Sequence, residues 1–148
     1  MNTKTSPIRQ IDSKGRLSIP PNLIDELDGE HKRKIVLVAI DNYIRVLSWI
    51  QWSKLQSDLR SSPDWDKNAT VRAVIRRLAR RRQICERDTQ GRIRVSEDLK
   101  EIIGIKKKVL IIEGADGPEL WDPDVYDEWE SGQDPLESQI QMVSRAGI

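Results

Sequence analysis

Two short segments contain the residues whose chemistry points most directly to a ligand. Residues 12–16 read DSKGR and residues 88–92 read DTQGR. An arginine guanidinium can donate two parallel hydrogen bonds to a phosphate or to a guanine edge, and a glycine lets the backbone approach a ligand closely. Lys14, Gly15 and Arg16 are therefore predicted to form a basic tip suited to nucleic acid.

Asp12 is predicted to hold this tip in a fixed shape. It lies four residues before Arg16, where its carboxylate can accept hydrogen bonds from N–H groups of the turn or pair with the guanidinium. A single segment of this kind is also typical of an ordinary charged turn. The second copy, which places Arg92 at the same distance from Asp88, favours a functional loop over that alternative.

The two segments belong to a longer internal repeat. The second copy begins 76 residues after the first, and each motif runs into a strand in which polar and apolar residues alternate. Each strand is followed by a short helix, two further strands and another helix, so the same order of elements is predicted twice. The short helices are predicted at 21–27 and 97–103, the second between Ser96 and Gly104 as caps. One unit alone is small for a stable core, so we expect the two to interlock.

A different segment connects the copies. Ser62 and Pro63 are typical of a helix start, and the sequence after them predicts an apolar stripe with arginines on the opposite side. The stripe consists of Val71, Val74, Ile75 and Leu78, and the arginine face consists of Arg72, Arg76, Arg77 and Arg80. The chain is therefore divided into a first repeat, a connecting helix and a second repeat with a C-terminal helix, at residues 1–60, 61–86 and 87–148.

Charge is distributed unevenly along the 148 residues. The formal net charge is +1, but residues 1–112 carry +10 and residues 113–148 carry −9. A basic surface of this size fits a polyanionic partner. The arginine face can meet a phosphate backbone or remain solvated. We expect it instead to pack near the acidic stretch, residues 113–137, within one chain or across a subunit boundary.

Composition excludes several other classes of protein. With 37% hydrophobic and 33% charged residues, the chain is neither disordered nor fibrous. It contains no apolar run of membrane-spanning length, and its first residues are polar rather than a secretory leader. We therefore expect a cytoplasmic protein with no membrane partner. Cys85 is the only cysteine, so no disulfide can form within the chain.

The sequence offers little for catalysis. One histidine and one cysteine leave no ligand set for zinc, and the glycine-rich phosphate loops of nucleotide-binding enzymes are missing. We therefore predict no enzymatic activity, no catalytic residues, no cofactor and no metal. His31 is expected in a surface loop and Cys85 in the core. Three aromatic residues are expected in the core or at a subunit interface, namely Trp52, Trp121 and Trp129.

These motifs together resemble the MraZ family of bacterial transcriptional regulators, which are tandem-repeat members of the AbrB-like superfamily. Residues 12–20 resemble the first signature of the family, residues 88–93 the second, and residues 119–122, which read ELWD, the closing strand. The resemblance implies an α+β, β-rich pseudo-dimer of two AbrB-like swapped-hairpin repeats, with connecting and C-terminal helices. The chain departs from the family pattern in residues 2–10, in the more basic residues 80–83, and at Pro118.

The resemblance also implies partners and a site. Copies of the chain would assemble into an octamer-like, ring-shaped homo-oligomer. This ring would bind double-stranded DNA at short repeats upstream of the division and cell-wall gene cluster, and the protein would be nucleoid-associated. Transferred by position, the DNA-binding residues are Asp12, Lys14, Gly15, Arg16 and Arg92. An AbrB-like antitoxin and a ring-forming protein-interaction module are the alternative functions.

Overall fold

The structure is a computed structural model and describes residues 7–20 and 33–144. This part of the chain contains eight β-strands and five α-helices, which confirms the predicted β-rich α+β fold. The strands are β1 (Ile8–Gln10), β2 (Arg16–Ser18), β3 (Lys34–Ile40), β4 (Tyr43–Ser48), β5 (Arg82–Glu86), β6 (Arg92–Arg94), β7 (Lys108–Gly114) and β8 (Gly117–Trp121). The helices are α1 (Trp49–Leu59), α2 (Ala69–Arg81), α3 (Glu97–Ile103), α4 (Pro123–Ser131) and α5 (Leu136–Val143).

Strands from both repeats form one antiparallel sheet, in which β7 and β8 of the second repeat lie between β1 and β4 of the first. Its order is β1-β7-β8-β4-β3-β5, and the other two strands, β2 and β6, form a separate ribbon. The first half of the chain supplies β1 to the outer side of β7, and β5, which precedes the second motif, returns to the outer side of β3. The prediction that the two units interlock is therefore confirmed.

The ribbon is held against the sheet by the apolar side of β2 and β6. Leu17 lies opposite Ile93, and the two residues are 0% and 1% exposed. Ile19 and Val95 continue the buried row, and all four belong to one cluster with side chains of β3, β4, β7 and β8. The predicted alternation is confirmed, so the polar residues between these positions must face outward.

The second short helix is capped as predicted. Oγ of Ser96 accepts a hydrogen bond from the N–H of Leu99 at 3.2 Å, and Gly104 ends α3 with a φ of 82°. A φ of this size favours glycine, which has no Cβ to clash with the backbone. The equivalent helix predicted at 21–27 and the loop predicted around His31 lie outside the described residues.

The connecting helix begins later than the sequence suggested. It starts directly after Asn68, whose Oδ1 accepts a hydrogen bond from the N–H of Val71 at 3.0 Å. Ser62 lies in an earlier turn, where its carbonyl oxygen accepts from the N–H of Trp65 at 3.1 Å. The helix start predicted at Ser62 and Pro63 is therefore wrong. Asn68 provides the side-chain cap where the apolar stripe begins, so the helix forms there.

Helices α1 and α2 cover the side of β3 and β4 that faces away from the ribbon. Trp52 is 5% exposed and packs with buried side chains of both strands, which confirms its predicted place in the core. Cys85 is half-buried against the core on the ribbon side, and this burial raises the pKa of its thiol to about 12. Every helix in the described part of the chain is too short or too polar to cross a bilayer.

Replacing Leu17 by alanine tests the ribbon as the link between the two repeats. The change removes a fully buried side chain, and we expect it to lower the free energy of unfolding by about 2–5 kcal/mol in urea titrations. The neighbouring Ser18 is exposed. Ser18→Ala, as the control, should change that free energy by about 0.5 kcal/mol or less. Similar losses from the two variants would contradict the role assigned to Leu17.

Candidate nucleic-acid interface

The first loop is organised around one carboxylate. Oδ1 of Asp12 accepts hydrogen bonds from the N–H groups of Lys14 and Arg16, both at 2.9 Å. Oδ2 accepts from Nε of Arg16 at 2.7 Å, and the N–H of Gly15 donates to the carbonyl oxygen of Asp12 at 2.9 Å. Asp12 therefore closes the turn and orients the guanidinium, so both interactions predicted for it are present.

The second loop repeats these bonds. Oδ1 of Asp88 accepts from the N–H groups of Gln90 and Arg92, both at 2.9 Å. Oδ2 accepts from Nε of Arg92 at 2.8 Å. The two residues between aspartate and glycine differ in the two copies, yet the bonds are the same. The bonds therefore depend on the shared aspartate, glycine and arginine rather than on the two variable side chains.

Both turns need a glycine, and the first turn also leaves little room for a side chain. Gly15 and Gly91 have φ values of 79° and 77°, where residues with a Cβ are strained. A Cβ on Gly15 would lie 3.3 Å from the carbonyl oxygen of Val95, whereas one on Gly91 would meet nothing within 4 Å. The N–H of Val95 also donates to the carbonyl oxygen of Gly15 at 2.9 Å. The first tip is therefore fastened to the second repeat.

Each loop arginine keeps one edge of its guanidinium available. Only Nε bonds to the aspartate, and within the described part of the chain the terminal nitrogens of Arg16 and Arg92 make no hydrogen bond. The two side chains are 32% and 25% exposed. The terminal nitrogens are the fork that grips a phosphate or a guanine edge with two bonds. Each loop thus fixes its arginine while leaving a binding edge open.

The two loops lie at opposite ends of one exposed ribbon face. Arg16 is opposite Arg94, and Ser18 is opposite Arg92, so the strand starts are displaced by two residues, or about 7 Å. The outward side of the ribbon therefore carries three arginines. Arg94 is missing from the site predicted by sequence. The alternation that buries Ile93 contained the signal, because it turns both neighbouring arginines outward.

The arginine face of α2 makes one ion pair among the residues that the structure describes. Nη1 of Arg80 lies 3.9 Å from Oδ2 of Asp98, and both side chains are mostly exposed. Asp98 belongs to α3 and not to the acidic stretch, residues 113–137. Ion pairing of the arginine face with that stretch is therefore not observed within the described chain, and contact across a subunit boundary stays a prediction.

Two interlocked β-rich repeats, each with an arginine loop closed by an aspartate, define a tandem-repeat protein with a duplicated basic loop. A family model described as "MraZ protein, putative antitoxin-like" matches residues 8–73. A relative from Acetivibrio thermocellus, named "Transcriptional regulator MraZ", is 33% identical over 140 residues, which is 93% of this chain and 94% of the relative. A relative of the same name from Alkaliphilus metalliredigens is 34% identical over 80% of this chain and 80% of its own length. Another, from Alkaliphilus oremlandii, is 36% identical over 75% of this chain and 74% of its own length. The chain belongs to the MraZ family.

The hydrogen bonds of the first loop lower the pKa of Asp12. The largest cause that lowers the pKa of Asp12 is the hydrogen bond from the backbone N–H of Arg16. The Arg16 side chain and the N–H of Lys14 lower it further. Together these bonds outweigh partial desolvation, which raises the pKa, and bring it to about 2. Because the folded-state pKa lies below the ordinary value of 3.8, the stabilisation from this carboxylate is present above the ordinary value and is lost as pH falls through about 2.

Arg16→Gln separates the backbone bonds from the side-chain contribution. We expect the pKa of Asp12, followed by carboxyl-carbon NMR, to rise only part of the way to its ordinary value, because the N–H groups of the turn still donate to it. Asp88, whose pKa is also lowered by hydrogen bonding in its own loop, is the internal control and should not move. A complete return of Asp12 to the ordinary pKa would show that the side chain dominates.

Proposed function

We propose that the protein is a transcription regulator that binds double-stranded DNA in a sequence-specific way. It acts as an octamer-like, ring-shaped homo-oligomer on short repeats upstream of the division and cell-wall gene cluster, in the cytoplasm and associated with the nucleoid. The observation that carries this proposal is the pair of identically bonded loops, in which an aspartate fixes each arginine and leaves its terminal nitrogens free.

The shape of the ribbon suits a DNA groove. A two-stranded β-ribbon fits the major groove of B-DNA, where an arginine can bond to both O6 and N7 of a guanine. In this proposal Arg16 and Arg92 read bases from the two ends of the ribbon. Lys14 and Arg94 are both exposed and lie beside Arg16, and in this proposal they contact phosphates. The phosphate contacts position the protein, and the base contacts give specificity.

Assembly supplies the affinity that one ribbon lacks. A single ribbon offers only a few contacts, whereas linked ribbons engage successive DNA repeats at a high effective concentration. A monomeric variant is therefore proposed to bind DNA poorly. A specific arrangement of copies would also convert the spacing of the DNA repeats into a requirement for binding.

A role in protein interaction is the second candidate. Helix α5 exposes apolar side chains, with Leu136 70%, Met142 80% and Val143 88% exposed. Large exposed apolar groups of this kind mark surfaces that bind other proteins. An antitoxin that binds both DNA and a protein partner would use the ribbon and α5 together. This candidate predicts a protein complex whose formation survives changes in the ribbon.

Footprinting on the DNA upstream of the protein's own gene separates the two candidates. We expect protection of short, regularly spaced repeats that persists in excess competitor DNA. The affinity should fall with salt, with a double-logarithmic slope of about −0.9 for each phosphate neutralised. Binding that is abolished by competitor DNA, with no protected repeat, would contradict sequence-specific recognition and favour the protein-interaction role.

Substitutions in the two loops test how the repeats divide the work. Arg16→Ala is expected to weaken specific binding by about ten- to a hundredfold, the loss of one bidentate base contact. Arg92→Ala should have a smaller effect, because the second tip has Gln90 in place of Lys14 and so attracts phosphate less. Arg16→Lys retains the charge but not the fork, and it should resemble Arg16→Ala in specificity.

These measurements require that fold and assembly are unchanged. Far-UV circular dichroism and sedimentation velocity of each variant should match the wild type, since the loop arginines are outside the core. Equal losses from Arg16→Ala and Arg92→Ala would show that both repeats contribute equally and that the assignment to the first repeat is wrong.

A further inference from the structure

A cavity with aromatic walls lies on the side of the sheet away from the ribbon. It has a volume of about 390 Å³ and lies between the β3–β4 turn, the end of β8 and α4. We call it the acidic aromatic pocket, and its main lining residues are Asp41, Tyr43, Glu119, Trp121, Tyr126 and Trp129. Tyr43 and Trp121 stack with ring centroids 5.1 Å apart, and Tyr126 meets Trp121 edge-on at 5.2 Å.

One tryptophan in the wall of this pocket, Trp129, is largely exposed to solvent. Trp121 is 4% exposed, as expected for a core residue, but Trp129 is 41% exposed although its ring centroid lies 5.5 Å from those of both Trp121 and Tyr126. Trp121 therefore lies in the core, as predicted from the sequence. Trp129 instead presents much of its surface to solvent beside the cavity.

Carboxylates surround the aromatic rings. Oε1 of Glu119 accepts a hydrogen bond from Nε1 of Trp121 at 3.0 Å, which holds this carboxylate at the wall. Burial is the largest cause that raises the pKa of Tyr43, and Glu119 is the next. Arg45, which lies opposite Glu119, lowers that pKa, while Asp41 and Asp116 raise it further. Asp127 and Glu130 are exposed on α4. Burial is the largest cause that raises the pKa of Tyr126, and the negative charges of Glu130, Glu119 and Asp127 raise it further. No lysine or arginine occurs in residues 113–144. Arg45 places one positive charge opposite Glu119, but the carboxylates of Asp41, Glu119, Asp127 and Glu130 outnumber it. The pocket is therefore negative as well as aromatic.

This chemistry selects a cation, and a guanidinium above all. The face of an aromatic ring attracts positive charge, most strongly in tryptophan. A guanidinium is planar and weakly hydrated, so it stacks on rings and still donates hydrogen bonds to carboxylates at its edge. An ammonium group would gain the charge attraction without the stacking.

The arginine face of α2 presents the matching groups. Arg72, Arg76 and Arg77 are exposed and form no ion pair within the described chain. Arg80 has only its long, exposed contact with Asp98 at 3.9 Å. Four like charges on one side of a single helix repel each other. A partner with carboxylates would relieve that repulsion.

We propose that the arginine face of one copy docks on the acidic aromatic pocket of a neighbouring copy. The contact would be one of the interfaces of the proposed homo-oligomer, so this inference rests on the proposed self-assembly. Within one chain, α2 packs on β3 and α4 packs on β7. Asp41 lies between them and also lines a second cavity with Arg77 and Arg81 of α2, but no ion pair joins the two helices among the described residues. Because the two surfaces differ, the contact can repeat from copy to copy and close into a ring.

A contact inside the pocket is expected to be stronger than one made by exposed ion pairs alone. Exposed pairs contribute little because water screens them. A guanidinium that enters the cavity loses water and meets Trp129 and the flanking carboxylates together, which strengthens both kinds of attraction. The remaining arginines then align with the acids of α4 and select the correct neighbour.

Two variants with reversed charges test the contact. The first carries Arg76→Glu and Arg80→Glu, and the second carries Asp127→Arg and Glu130→Arg, all at exposed positions. Each variant alone places like charges on both sides of the contact, so we expect self-association in sedimentation velocity to weaken by about tenfold or more. In an equal mixture, each contact between unlike copies joins opposite charges again, and assembly should return. Lys54→Glu with Lys67→Glu is the control for net charge and should assemble normally.

The outcomes distinguish this contact from the proposed assembly itself. A wild-type protein that is monomeric would overturn both. Variants that each assemble like the wild type would overturn the contact and leave the assembly intact. A mixture that fails to reassemble would also overturn it, since the two surfaces then bind other partners. Loss of DNA binding by the first variant with its assembly intact would identify the arginine face as a second DNA surface instead.

An aromatic substitution tests the pocket without changing charge. Trp129→Ala should weaken self-association by about tenfold, whereas Trp129→Tyr, which retains a ring, should lose much less. Trp65→Ala is the matched control, because the Trp65 ring lies 5.2 Å from the guanidinium of Arg60 but outside both surfaces. Thermal melts establish that each variant is folded. Unchanged assembly of a folded Trp129→Ala protein would overturn the role of the pocket.

Discussion

Leu17 and Ile93 come from different repeats and meet across the ribbon, where neither is more than 1% exposed. Strands of three residues form too few hydrogen bonds to hold a ribbon by themselves, so its position depends on this apolar pair and its burial against the sheet. Each loop ends at the residue immediately before one member of the pair. The place of Arg16 and Arg92 on the surface is therefore set by what their neighbours bury, and neither repeat can present its loop without the other.

Asp12 and Asp88 turn that placement into a defined side-chain geometry. Their ion pairs with the loop arginines are partly exposed and add little stability on their own. What they change is the freedom of the guanidinium, which is held through Nε before any ligand arrives. A group that is already oriented loses less entropy on binding. A negative charge is repelled by DNA, so the aspartates are not expected to bind DNA themselves. Their role is to position the arginines.

The parts of the fold that could be predicted from sequence are those encoded by neighbouring residues. The turn glycines, the buried pair Leu17 and Ile93, and the cap at Ser96 each follow from a few adjacent side chains. Pairing between β3 and β5 joins residues far apart in the chain, and no local pattern specifies it. The sequence alone predicts too early a start for α2, because Ser62 and Asn68 are both acceptable caps and only the packing of the apolar stripe distinguishes them. Arg94 was overlooked because it lies outside the repeated motif.

The ribbon and the acidic aromatic pocket lie on opposite faces of one sheet, and alternation along the strands separates them. On β8, Leu120 belongs to the core beneath the ribbon, while Trp121 lines the pocket. On β4, Ile44 and Tyr43 divide in the same way. A neighbour docked at the pocket would therefore leave the arginine loops uncovered. The acids of α4 lie on the pocket face of the sheet, away from the ribbon, and the docked neighbour would cover them, so they would repel an approaching phosphate backbone less. A molecule with nearly zero net charge can in this way keep a basic surface for a polyanion and an acidic one for a second copy of itself.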